Sequence, residues 1–189
     1  MKQTSIMIVG VGGQGTLLAS RLIGYVLVKK GYDVKLSEVH GMSQRGGSVV
    51  TYVKYGEKVF SPIVDKGEAD YILSFEAIEA ARYLEMLKSG GTIITNTSEI
   101  YPMPVITGAM SYPEKPTQKL CGMCNTIAVD AQALAEKAGS AKAVNTVLIG
   151  KLSRFLFDID EADWLEAIEK LVKPQFIELN KQAFALGRA

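Results

Sequence analysis

The chain has 189 residues, of which 48% are hydrophobic and 22% charged, with a formal net charge of +1. That is enough globular sequence to bury one sizeable core, and the near-zero charge excludes the global basic surface of a nucleic-acid binder. No run of about 18 apolar residues is present, which excludes a membrane-spanning helix, and two cysteines exclude a disulfide framework.

Met1-Lys2-Gln3-Thr4-Ser5 leads into an apolar run too short for a secretory leader, so a reducing, cytoplasmic location is expected. Thr4–Val9 reads as a buried first strand of the near-continuous apolar kind found in parallel sheets. The tight turn Gly10-Val11-Gly12-Gly13-Gln14-Gly15 follows. Gly15–Lys30 then reads as a helix, with Leu17, Leu18, Arg21, Leu22, Tyr25 and Val26 at helical spacing and Gly31 as its stop. Asp33–Val39 is a second strand, which completes a βαβ unit.

His40–Gly47 holds three glycines in eight positions and suits neither strand nor helix. Ser48–Lys54 returns to strand alternation. Tyr55-Gly56-Glu57-Lys58 reads as a hairpin connection to Val59–Phe60, so an antiparallel pair is inserted into the sheet. Ala69–Phe75 is a buried strand, Glu76–Leu87 a helix ended near Gly90-Gly91, and Thr92–Asn96 a further strand.

Residues 97–124 are interrupted by Pro102, Pro104, Pro113 and Pro116, leaving only a short extended piece around Val105–Thr107. Thr126–Val129 is a short strand. Helices then cover Asp130–Ala138, capped by Asp130, and Asn145–Phe157, Asp160–Leu171 and Pro174–Leu186. The predicted fold class is α/β. It is a single domain over 1–189 with a Rossmann-like, doubly wound, mostly parallel sheet, an inserted antiparallel pair and a helical C-terminal part from about residue 130 to 189.

Gly10-x-Gly12-x-x-Gly15 has the spacing and the strand–turn–helix context of a dinucleotide fingerprint, in which backbone amides approach a phosphate at a helix N-terminus. The acidic residue that would complete it is Glu38, 23 positions after Gly15. Three readings stay open: NAD or FAD binding, a purely structural turn, and contact with another phosphate or a partner's edge. The loop Ser43-Gln44-Arg45-Gly46 offers amides and one guanidinium able to grip a carboxylate or phosphate; a solvated surface loop is the alternative. Both loops leave carboxyl ends of strands, where open α/β sheets bind ligands.

His40 is the single histidine, and no nucleophile motif accompanies it, so a hydrogen-bonding structural role is expected. Cys121-Gly122-Met123-Cys124 lacks the further ligands that zinc or an iron–sulfur cluster needs, and it reads as a pair of incidental buried thiols. Asn145 reads as a helix N-cap. Gly150, inside the same helix, points to close backbone packing.

Three segments together resemble the gamma-type domain of the 2-oxoacid:ferredoxin oxidoreductases: Ile8 to Gly15, Glu38 to Val49 (Glu-Val-His-Gly-Met-Ser-Gln-Arg-Gly-Gly-Ser-Val) and Asn145 to Gly150 (Asn-Thr-Val-Leu-Ile-Gly). The resemblance covers essentially the whole chain and is strongest to the small (beta) subunits of the indolepyruvate branch. It implies a holoenzyme of anaerobic metabolism that oxidatively decarboxylates aryl 2-oxoacids to acyl-CoA, with coenzyme A as acyl acceptor and ferredoxin as electron acceptor. Thiamine diphosphate, Mg and the iron–sulfur clusters are implied on a large (alpha) catalytic subunit, leaving this chain inactive alone.

On that reading Gly12, Gly13, Gln14, Gly15, Ser43, Gln44, Arg45 and Gly46 meet a coenzyme A phosphate or the partner surface. No catalytic residue, metal ligand, nucleic acid or membrane contact is expected on this chain. The alternatives are a gamma subunit serving pyruvate, 2-oxoglutarate or branched-chain 2-oxoacids, and a free-standing nucleotide or coenzyme A binding module.

Overall fold

In the computed structural model, which describes residues 3–39 and 47–189, six strands among the described residues form one mixed sheet. They are β1 Gln3–Val11, β2 Asp33–Val39, β3 Ser48–Gly56, β4 Ala69–Ser74, β5 Leu87–Asn96 and β6 Asn125–Val129, in the order β2-β3-β1-β4-β5-β6. β1, β4, β5 and β6 are parallel to one another, whereas β3 is antiparallel to both β1 and β2.

The antiparallel element is therefore β3, lodged between the two strands of the expected βαβ unit. The predicted return strand at Val59–Phe60 does not form, and the physical reason is that both edges of β3 are already paired. Instead the Val59 amide donates to Asp33 Oδ2 at 2.9 Å and its side chain is buried.

The helices are α1 Thr16–Lys29, α2 Ala77–Arg82, α3 Met103–Ile106, α4 Pro116–Met123, α5 Ala131–Lys137, α6 Val144–Ser153, α7 Glu161–Leu171 and α8 Ile177–Arg188. The extended piece expected around Val105–Thr107 is helical. Pro104 lies in the first turn of α3 and Pro116 in that of α4, where a missing N–H costs nothing. The prolines thus start short helices here rather than forbid them. The helix expected over Glu76–Leu87 ends at Arg82, and after a single turn at Leu84–Met86 the chain is already in β5. Gly90 and Gly91 belong to that strand: Gly90 has φ +78°, and a Cβ on Gly91 would stand 3.0 Å from the Ala69 and Asp70 carbonyl oxygens. The pair marks an irregularity in the β4–β5 register, not the end of an element.

Alternation along β1 sends Ile6 and Ile8 to one core and Met7 and Val9 to another. The first core is the larger and is closed by α1 and α5–α8, with Trp164 and Phe184 fully buried. The second lies under α2 and α4, with Ala80 and Leu120. α6 and α8 touch backbone to backbone. A Cβ on Gly150 would come within 2.2 Å of the Phe184 carbonyl oxygen, and one on Gly187 within 1.9 Å of that of Val147. α7 is held on α1 by Asp163, whose carboxylate meets Lys29 at 2.9 Å and Lys30 at 2.8 Å, and by Glu166, which accepts from Tyr25 at 2.8 Å. Lys30 and Lys29 hold the Asp163 carboxyl at about 2.

Gly187→Ala is expected to cost about 3 kcal/mol and to lower Tm by roughly 6–12 °C, because the added methyl overlaps a backbone carbonyl that cannot move alone. Gly122→Ala, in α4 with no atom within 4 Å of the new Cβ, is expected to be neutral or slightly stabilising. Thermal melts of the two variants check the pair. Because the folded-state value of Asp163 is depressed, its contribution is complete above about pH 4 and is lost as pH falls through about 2. Asp163→Asn should therefore flatten the fall in urea midpoint between pH 4 and pH 2, and an unaltered acid limb would show that the pair contributes nothing.

Candidate functional site

The turn after β1 is shaped by its glycines. Gly13 has φ +102° and Gly15, the N-cap of α1, has φ +85°. These are left-handed conformations that side chains resist. Gly10 is required for a different reason: a Cβ there would lie 2.9 Å from that of Phe75. Since Gly15 has no side chain to cap with, the first-turn amides of α1 carry no side-chain cap and present the positive helix end.

Gln14 locks the turn from inside. Its Oε1 accepts from the Val11 amide at 2.7 Å and its Nε2 donates to the Phe75 carbonyl at 3.2 Å. Asn96, at the end of β5, donates to the same carbonyl at 3.4 Å and accepts from the Ala131 amide at 3.2 Å. The ends of β1, β4 and β5 and the start of α5 are thus cross-tied by two amide side chains, and both residues also line the cleft they support. The Gly12 amide donates to the Gly47 carbonyl at 2.8 Å, which fastens the turn to the residue entering β3.

Asn145 does not cap α6 as expected. The helix begins at Val144 with Ala143 as its N-cap, so Asn145 lies within the first turn. Its Nδ2 reaches across to the Gly15 carbonyl at 3.4 Å, and its Oδ1 accepts from the Thr146 amide at 2.8 Å. The contact is tight enough that a Cβ on Gly15 would lie 2.7 Å from Asn145 Nδ2. Thr146 Oγ1 donates to Asn180 Oδ1 at 2.5 Å and Asn180 Nδ2 donates to the Phe176 carbonyl at 2.8 Å, which anchors the contact to α8. Beyond β4, Glu76 accepts from the Glu79 amide at 3.0 Å as the cap of α2 and from the Tyr112 hydroxyl at 2.5 Å. Burial and that bond to Glu76 push the Tyr112 phenol up, so it stays neutral.

Gly13, Gln14, Gly15, Asn96, Lys142 and Asn145 surround a cleft of about 490 Å³ at this edge of the sheet. Of the predicted site residues, Gly13, Gln14 and Gly15 line this cleft, whereas Gly12 lines an adjoining one with Thr16, Leu17 and Val39. Ser43, Gln44, Arg45 and Gly46 lie outside the described residues, as does His40. Lys142 was not legible in the sequence: it sits in a short turn at Ala141–Ala143, just before α6, with no motif around it.

Backbone of the glycine turn and the Lys142 ammonium share this cleft, and the start of α1 at Thr16 and Leu17 faces the adjoining one; both settings suit an anion. It does not suit an ordinary dinucleotide. In that fold β2 neighbours β1 and presents its acidic residue to the ribose. Here β3 intervenes, moving β2 out to roughly 10 Å from β1, and Glu38 accepts from the Ser20 hydroxyl at 2.7 Å. The cysteines also depart from expectation. Cys121 is exposed and Cys124, at the end of α4, is half-buried. No group of three or more His, Cys, Asp or Glu among the described residues could hold a metal ion.

Residues 5–189 match the family model described as pyruvate ferredoxin/flavodoxin oxidoreductase. The chain belongs to that family. It is 45% identical over 193 residues to the indolepyruvate oxidoreductase subunit IorB of Thermococcus kodakarensis, with 99% of this chain and 95% of that relative covered. Among solved structures it shares its fold with the pyruvate oxidoreductase subunit PORC of Thermotoga maritima, with a TM-score of 0.76 at 21% identity, covering 99% of this chain and 96% of that one. It shares its fold also with the 2-oxoglutarate:ferredoxin oxidoreductase of Magnetococcus marinus, solved with 2-oxoglutarate, coenzyme A and succinyl-CoA bound, with a TM-score of 0.73 at 18% identity. That match covers all of this family member but 31% of the Magnetococcus chain.

Gln14→Ala removes the partner of the Val11 amide and one of the two donors to the Phe75 carbonyl. A loss of about 1–3 kcal/mol in unfolding free energy is expected, read from denaturant titration. A change under 0.5 kcal/mol would show that the turn holds its shape without this side chain.

Proposed function

We propose that this chain is the small subunit of a thiamine-dependent, ferredoxin-linked oxidoreductase that converts aryl 2-oxoacids, with indolepyruvate as the type substrate, to acyl-CoA and CO2. The carrying observation is the 45% identity, end to end, with a subunit named for indolepyruvate. The site reading supports it: a rigid anion-binding edge without a catalytic set of its own suits a subunit that completes a partner's active site.

The redox and thiamine cofactors do not fit this chain. An iron–sulfur cluster asks for four thiolates, and the sequence holds two cysteines, one of them exposed. No group of three or more His, Cys, Asp or Glu that could hold a metal ion occurs among the described residues. These cofactors are assigned to a large catalytic subunit, which also hands electrons to ferredoxin, and the complex is assigned to the cytoplasm. No described helix is long and apolar enough to cross a membrane.

This chain's own residues hold the co-substrate. Gly12, Gly13, Gln14 and Gly15 present the start of α1 to a coenzyme A phosphate, Lys142 and Arg45 supply cations, and Ser43, Gln44 and Gly46 offer further hydrogen-bond donors to it. Asn145 fixes the Gly15 peptide so that the amides keep their aim. Held by its phosphates, coenzyme A extends its thiol toward the partner's acyl group.

The test is to co-purify the chain with its large subunit and assay viologen reduction over indolepyruvate, pyruvate, 2-oxoglutarate and a branched-chain 2-oxoacid. A kcat/KM at least tenfold higher for indolepyruvate is expected; preference for any other acid, or failure to co-purify, overturns the reading. Within the active complex, Lys142→Ala should raise the KM for coenzyme A about tenfold, as loss of one charge-assisted contact does. A KM that does not move would assign Lys142 to the subunit interface instead.

A further inference from the structure

The opposite end of the sheet carries a second cleft of quite different chemistry. It is about 530 Å³ in volume and is walled by Tyr32, Tyr55, Tyr71, Phe155 and Phe157, with Asp158 at its rim. Its distance from the glycine turn follows from register. β1 meets β3 at Gln3–Gly56 on this side and at Val11–Ser48 on the other, a span of roughly 27 Å along nine residues. It is no part of the coenzyme A edge.

The walls are built rather than incidental. The Tyr32 and Tyr55 rings meet edge-on at 5.2 Å, and those of Tyr71 and Phe155 at 6.0 Å. Tyr71 donates its hydroxyl to the Phe155 carbonyl at 3.4 Å, and Tyr32 donates its own to Asp158. The segment between α6 and α7 is thereby tied to β4 through Tyr71 and to the residue preceding β2 through Tyr32. Phe157, in that same segment, leaves 88% of its surface exposed.

Charge is one-sided here. Asp158 and Glu57 are the ionisable acids of the lining, and no lysine or arginine lines it. The nearby ammonium groups are paired, Lys30 with Asp160 and Asp163 and Lys58 with Asp33 and the Phe60 ring; Lys30 still acts on Tyr32, but more weakly than Asp158. The field of Asp158 reaches all three phenols. Tyr32 is pushed up by its bond to Asp158 and by burial; Tyr55 and Tyr71 are pushed up mainly by burial, with Asp158 adding to it. All three stay neutral and line the cleft beside the Asp158 carboxylate, Tyr55 from a buried position.

Aromatic faces carry negative potential, and a carboxylate beside them selects an organic cation over a neutral or anionic ligand. The volume lies in the range of small-molecule sites. We propose that this aromatic, acidic cleft binds an alkylammonium group, supplied either by a free amine or by a lysine side chain of a protein partner. The alkyl stem packs on Phe155 and Phe157 and the ammonium sits between the tyrosine faces and Asp158.

The test uses the full chain and nitrogen-15 spectra, with butylammonium, N-acetyl-lysine methylamide and neutral 1-butanol as probes. Saturable shifts at Tyr32, Gly56, Phe155 and Asp158 are expected for a cation, with 1-butanol at least fivefold weaker. Asp158→Asn should weaken the cation at least fivefold and leave 1-butanol unchanged; Phe157→Ala should weaken both. Binding by the lysine amide alone identifies a protein side chain as the source, and binding by butylammonium alone a free amine. Equal affinity for cation and alcohol, shifts confined to other regions, or an indifferent Asp158→Asn overturns the proposal. Should Asp158→Asn fail to fold, raising ionic strength on the wild-type chain serves in its place: it must weaken the cation and not the alcohol.

Discussion

The hydrogen bonds that β3 makes along both of its edges set the arrangement of the rest of the molecule. In a simple βαβ unit, β2 would lie against β1 and the crossover helix would cover that pair. Here β3 takes the place beside β1 over nine residues and pairs β2 on its far side over seven. The sheet is thereby widened at the one edge where the glycine turn sits. The Gly12 amide is bonded to Gly47, at the entry to β3, so the turn and the start of the inserted strand form one unit. The turn has the glycine spacing of a dinucleotide fingerprint, but β2, which would carry the acidic residue, is not beside β1.

A site assembled from several strand ends keeps its geometry only if those ends are fixed to one another. The molecule does this with amide side chains, which can donate and accept at once. Gln14 and Asn96 converge on a single carbonyl, that of Phe75, and each spends its remaining oxygen on a backbone amide of another element. Asn145 does the same between α6 and the turn. None of these three needs to touch a ligand to matter. Each satisfies a backbone group that would otherwise be left unpaired at a partly buried edge, where such a loss is expensive. Rigidity at this edge comes from that satisfaction and not from the glycines, which alone would permit many conformations.

Much of this was legible in the order of residues. The apolar runs of β1, β4 and β6, the helical periodicity of α1 and the Asp130 cap of α5 are local signals, and local physics decides them. What escaped depended on partners distant in sequence. Whether Val59–Phe60 continues as a strand depends on the free edges of β3, which no local pattern reveals. Gly90-Gly91 carries the composition of a stop, yet the neighbouring β4 backbone makes it a strand irregularity. Pro104 and Pro116 read as breakers because the sequence does not show that each falls in a first turn. Asn145 looked like a cap for the same reason that it makes a good clamp: a short amide at a helix start bonds the backbone within reach, here the adjacent Thr146 amide and the Gly15 carbonyl, 130 residues away in the chain. Lys142 had no pattern at all and is placed only by the packing of α5 against α6.

The two ends of the sheet divide the chemistry between them. In the proposed reading, the glycine turn, the start of α1 and Lys142 at the carboxyl ends of the parallel strands take negative charge. In the same reading, the tyrosines and Asp158 at the amino ends take positive charge. A net charge of +1 conceals this separation, because the signs cancel over the molecule and not within either region. The Magnetococcus relative, in which this fold accounts for 31% of a longer chain, shows that the module is compatible with covalent connection to further domains. A fold used both as a separate subunit and as part of a larger chain must present its functional edge in a fixed relation to whatever surrounds it. Cross-ties within the module meet that requirement in either setting, since they hold the turn on its own sheet and do not draw on the neighbour to do so.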